Sequence, residues 1–139
     1  MSGPVAVYRG RSQREVMQPL NVVLLQSDSR AAGCIVSALT NSVAVVHQVQ
    51  SMGELRSSIA KHRAGIAILD MEAVSISDVQ HLTREFPNAC VVCTHRLADE
   101  DMWRAALNAG AADICPPSDT QGILRAALGD STLTKSAVA

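Results

Sequence analysis

Aromatic residues are almost missing from this chain: one Trp, one Tyr and one Phe make up 2% of its 139 residues. Hydrophobic residues still reach 47%, so the core has to be built from Ala, Val, Leu and Ile. Lysine is equally scarce, with only Lys61 and Lys135. A net charge of -1 leaves no basic footprint over the whole chain, and direct binding to nucleic acid is not expected. No apolar run is long enough to span a bilayer and no signal-peptide core stands near Met1, so a cytoplasmic protein with no membrane partner is expected. The four cysteines lie in apolar surroundings rather than in a loop-rich framework, which reads as reduced, buried thiols. Glycines are absent from Gln26-Ser27-Asp28, where a dinucleotide or FMN loop would need them, and this disfavours both.

What is present is organised around Gly65-Ile66-Ala67-Ile68-Leu69-Asp70. Four apolar residues run into one carboxylate without period-two alternation, the pattern of a strand covered on both faces. Ligand sites in open parallel sheets lie beyond the carboxyl ends of the strands, so Asp70 is either the start of a loop or the centre of a site.

The rest of the chain is regular from about residue 20. Asn21–Leu25 reads as a buried strand, and Asp28 or Ser29 caps a helix to about Thr40. Residues 43–46 form a second strand with His47 at its end. Ser51 and Glu54 have the capping-box spacing for a second helix. A third helix begins at Ser77-Asp78, with Val79, Leu82 and Phe86 inward, and stops at Pro87. Residues 89–93 form the fourth strand, and Asp99-Glu100-Asp101 suits the positive end of a helix running to Ala109, with Gly110 as its C-cap. A short fifth strand spans residues 111–115. After Pro116-Pro117, Ser118 or Asp119 caps a last helix to about Leu128.

Five strands alternating with five helices require parallel pairing and right-handed crossovers, with helices on both faces of the sheet. The expected fold is α/β, flavodoxin-like and doubly wound, with five parallel strands in the order 2-1-3-4-5. Residues 20–129 form this domain, preceded by an extension (1–19, with Arg9, Arg11 and Arg14) and followed by a tail (130–139). In this order Gln26, Ser27, Asp28, Asp70, Thr94 and the Pro116-Pro117 turn ring one pocket.

Residues 21–128 resemble a response-regulator receiver domain of the CheY-like family. The resemblance rests on Leu24-Leu25 leading to Asp28, on Ile68-Leu69-Asp70, on Val91-Val92-Cys93-Thr94, and on Asn108-Ala109-Gly110-Ala111-Ala112-Asp113 before a proline turn. It implies that Asp70 is the position that accepts a phosphoryl group from a histidine kinase and that Thr94 is the switch hydroxyl. It also implies an acidic pair for Mg²⁺ and a lysine before the turn, because a carboxylate attacks a phosphoryl group only when cations neutralise the transferring oxygens.

Here the pair falls on Gln26 and Ser27, with Asp28 just after it, and the lysine position reads as deleted. Ile114 stands at the aromatic switch position, and Val74 and Asp78 stand where the family usually has Pro and Gly. The site is therefore expected to be degenerate. No catalytic residue and no cofactor are assigned, and the carboxylates that Mg²⁺ would have to use are Asp28, Asp70 and Glu72. Arg96 is expected to bridge to Asp70 or Asp28. The function expected is a receiver-like module of a two-component or phosphorelay system working through protein–protein contacts with a kinase or effector. The alternatives are an active acceptor at Asp70 and a small-molecule sensor using the emptied pocket.

Three further features have competing readings. Cys90 and Cys93 would point to opposite faces of one strand, which argues against a shared metal. His47, His62 and His81 are scattered and take no ligand role, while His95 stands near the site. Trp103 either packs on the sheet or is exposed. If exposed, it would anchor a homodimer through the fourth helix, fifth strand and fifth helix, as the resemblance implies.

Overall fold

The computed structural model describes residues 20–42 and 44–128. The extension 1–19, Val43 and the tail 130–139 lie outside the described residues. Ten elements alternate: β1 (Leu20–Leu25), α1 (Ser29–Thr40), β2 (Ala44–Val49), α2 (Met52–His62), β3 (Ile66–Asp70), α3 (Ile76–Glu85), β4 (Cys90–Thr94), α4 (Glu100–Asn108), β5 (Asp113–Cys115) and α5 (Thr120–Ala127). All strand pairs are parallel and the sheet order is β2-β1-β3-β4-β5, as the alternation requires.

The continuous apolar runs of the strands are divided between two faces. Val23, Leu25, Ala67, Leu69, Val91, Cys93 and Ile114 meet Leu55, Ile59, Val79, Leu82 and Ala106 of α2, α3 and α4. Val22, Leu24, Ile66, Ile68, Val92 and Cys115 meet Ala32, Ile35, Leu39 and Ile123 of α1 and α5. Cys93 belongs to the first cluster and Cys90 packs against the second, so the two thiols stand on opposite faces. Burial pushes Cys93 up to about 12 and Cys115 up to about 11, which leaves both as unreactive thiols at neutral pH.

Most boundaries follow their capping residues. Asp28 caps α1, Ser51 caps α2, Asp99 caps α4 and Asp119 caps α5. Three segments differ from the sequence reading. Helix α3 starts at Ile76 rather than Ser77-Asp78, because Ser75 and Asp78 form a reciprocal capping box (3.0 and 3.1 Å) that puts Asp78 inside the first turn. Strand β2 runs on to Val49, so His47 is inside it and not at its end. Strand β5 is only Asp113–Cys115, because Gly110 (φ +104°) turns the chain after α4 and pairing with β4 begins at Val92↔Asp113.

His47 and His62 are not scattered. The end of α2 returns beside β2 and stacks the two rings 3.7 Å apart and within 7° of parallel, while His47 Nε2 lies 3.1 Å from Asn21 Oδ1. Partial burial, followed by the neighbouring His62 and Lys61, holds His47 below the ordinary imidazole range. The folded state therefore binds a proton at His47 less readily than the unfolded chain. The associated stability is complete above the unfolded value and is lost as the pH falls through it toward the folded one. Urea midpoints measured between about pH 7.5 and about pH 5.5 should fall on acidification, and His47→Gln should flatten that slope.

Candidate functional site

The parallel register brings the carboxyl ends of β1, β3 and β4 to one edge of the molecule, with Asp70 paired to Thr94. Asp70 is 2% exposed and Thr94 is 0% exposed; these are the buried polar side chains at the strand ends. Above Asp70 opens a cleft of about 330 Å³, lined by Gln26, Ser27, Asp28, Asp70, Glu72, Arg96 and Pro117.

Each polar side chain lining this cleft makes at least one hydrogen bond. Asp70 Oδ2 accepts the backbone N–H of Ser27 at 3.1 Å and also the Ser27 hydroxyl in a short hydrogen bond. Asp70 Oδ1 accepts the N–H of Glu72 at 2.9 Å. Gln26 donates to the Thr94 hydroxyl at 3.0 Å and accepts from the N–H of Asp28 at 3.3 Å. Thr94 is thereby covered and does not line the cleft. Asp28 accepts from the N–H groups of Arg30 (2.9 Å) and Ala31 (3.2 Å), which ties its carboxylate to the first turn of α1.

Arg96 does not bridge to Asp70 or Asp28. Its guanidinium makes a forked pair with Glu72 (2.7, 2.9 and 3.1 Å), and its backbone N–H adds a fourth bond at 3.2 Å. The pair holds the Glu72 carboxyl below, and the Arg96 guanidinium above, their usual ranges. The sequence does carry a signal for this pair. Glu72 and Arg96 each stand two residues beyond a strand end, and those ends, Asp70 and Thr94, are register partners. Equal offsets from paired positions put the two side chains side by side.

The proline is also corrected. Pro117 is buried and lines the cleft, whereas Pro116 is exposed and faces the adjoining groove along α1, with Arg30, Ala31 and Cys34. The chain turns after Cys115, whose carbonyl accepts the N–H of His95 (3.1 Å), so the second proline and not the first folds over the site. Trp103 is 45% exposed on α4, away from the cleft, and does not pack on the sheet.

The donor set does not fit Mg²⁺, which needs several oxygens in near-octahedral array. Asp28 caps a helix, Glu72 holds Arg96, and only Asp70 points into the centre. Among the described residues no three His, Cys, Asp or Glu side chains converge in a way that could hold a metal ion.

No protein-family model matches the chain, and no curated protein matches it. Solved structures do. A response regulator from Thermotoga maritima gives a TM-score of 0.70 at 17% identity, covering 77% of this chain and 92% of its own. A chain of the CheX-CheY-BeF3-Mg²⁺ complex from Borrelia burgdorferi gives 0.70 at 18%, covering 81% and 90%. HP1043, an orphan response regulator of H. pylori, gives 0.67 at 13%, covering 77% and 95%. The chain has the CheY-like receiver fold. Within that fold Asp70 stands at the end of the third strand.

The hydroxyl of Ser27 serves a carboxylate that is nearly out of water, so its removal leaves that oxygen one donor short. Ser27→Ala should lower unfolding stability by about 1–3 kcal/mol, measured as a shift in the urea midpoint at neutral pH with unchanged m.

Proposed function

We propose that the chain is a receiver-like signalling module of a two-component or phosphorelay system, with a degenerate phosphorylation pocket and an output made of protein–protein contacts. One observation carries this reading: the Asp70 carboxylate is held by three neutral donors and no cation.

Attack on a phosphoryl group requires a free carboxylate lone pair in line with the leaving group and positive charge on the transferring oxygens. Three of the roughly four lone-pair sites of Asp70 are filled by Ser27 and Glu72. The nearest guanidinium, Arg96, is turned onto Glu72, and among the described residues no lysine lies at the site, Lys61 being in the last turn of α2. Arg96 lines the same cleft and feels the charge of Asp70, but its hydrogen bonds go to Glu72, so none of these groups pairs directly with Asp70. What the site does provide is rigidity: Gln26 ties β1 to β4, Ser27 ties the same loop to β3, and Glu72–Arg96 ties the β3–α3 loop to the β4–α4 loop. These loops frame a surface that partners can read without a chemical event.

The partners we infer are a histidine kinase or an effector in the cytoplasm. Among the described residues no helix is long and apolar enough to cross a membrane. A homodimer through α4, β5 and α5 would use Trp103, whose exposure supports the anchor reading over the packed one.

Incubation with acetyl phosphate and Mg²⁺ followed by intact-mass measurement should show no phosphoryl adduct on the wild-type chain. An adduct that forms readily on wild type and vanishes in Asp70→Asn would replace this reading with an active phospho-acceptor.

A further inference from the structure

On the face of the sheet covered by α3 and α4, a second concavity opens behind the Asp70 cleft. It is a half-open groove of about 190 Å³ lined by Met71, Ile76, His95, Met102, Ala105 and Ile114. Its wall is apolar except for the His95 ring. With so few aromatics in the chain, and Ile114 at the centre of β5, no large ring of the protein fills this space.

We propose that this groove is a binding site for a small neutral aromatic molecule carrying one hydrogen-bond acceptor, such as an aryl ketone. Three observations fix that chemistry. The volume matches a single six-membered ring, since an apolar cavity of about 150 Å³ takes up benzene. Two of the lining residues are methionines, whose unbranched, polarisable side chains adapt to a ring face. The third is the hydrogen bonding of the His95 ring. Its Nδ1 accepts the N–H of Leu97 at 2.9 Å, so the proton of the neutral ring is on Nε2. The polar group that this ring can offer a guest is therefore a donor, and it selects an acceptor. No described hydrogen bond uses His95 Nε2.

The position gives such a guest a route to the rest of the molecule. Met71 and His95 directly follow the register partners Asp70, which lines the cleft, and Thr94, which lies covered beneath Gln26. A ring seated here packs against the two loops that the Glu72–Arg96 pair joins. This inference stands apart from the signalling role proposed above, because it rests on the groove and not on the state of Asp70.

The test is a titration of the full chain with acetophenone and, separately, with ethylbenzene, which keeps the ring and the two-carbon side chain but lacks the carbonyl oxygen. Methionine-methyl NMR reports on Met71 and Met102. Both probes should give saturable shifts at these methyls, with acetophenone about fivefold tighter, the value of one neutral hydrogen bond. Ala105→Trp, a change at a solvent-exposed helix position, fills the groove and should abolish both. His95→Phe should keep ethylbenzene binding and erase the preference for acetophenone. The proposal is overturned by an absence of saturable shifts, by shifts centred on the Asp70 cleft, by binding that survives Ala105→Trp, or by a ketone preference that survives His95→Phe.

Discussion

A carboxylate that is 2% exposed and is hydrogen-bonded by neutral donors, with no direct ion pair among the described residues, is the constraint around which this molecule's upper edge is arranged. Burying a charge without compensation is expensive, and the compensation here comes from a backbone N–H and a hydroxyl of Ser27 and a backbone N–H of Glu72. Those donors have to arrive from two different loops, so the β1–α1 and β3–α3 connections are fixed relative to each other. Gln26 then covers Thr94 and accepts from Asp28, which in turn caps α1. One solvation problem thus settles the conformation of several consecutive residues after β1.

The same arrangement keeps the carboxylates of the acidic rim from converging on one point. Three carboxylates surround the cleft, but each has a competing partner close by in sequence or register. Asp28 finds the free N–H groups of its own helix, and Glu72 finds Arg96 across the β3–β4 register. Local partners of this kind pull the side chains away from a common centre. The strand ends of the receiver fold are held here by hydrogen bonds among protein groups.

Much of the fold was legible in the chain. Aliphatic runs without alternation marked the strands, and Asp28-Ser29, Ser51, Asp99-Glu100-Asp101 and Ser118-Asp119 marked helix starts, the structure taking Asp28, Ser51, Asp99 and Asp119 as the caps. Less legible were features that depend on which segments end up adjacent. Ser75 outcompeted Ser77 as a cap because Asp78 can return the hydrogen bond. His47 and His62, fifteen positions apart by their numbers, stack only because α2 folds back along β2. Pro116 and Pro117 are equivalent as a sequence pair, and only the path of the chain after Cys115 decides which one covers the site.

The sequence by itself determined the alternating architecture, the aliphatic core and the lack of a lysine before the proline turn, since these follow from local period, capping and composition. Tertiary structure alone decided that Arg96 belongs to Glu72, that Ser27 satisfies Asp70, and that an apolar groove opens beside His95. The physical reason is the same in each case. Hydrogen bonds and ion pairs reach only about 3 Å, so their partners are chosen by strand register and loop path, which become fixed only when the sheet closes.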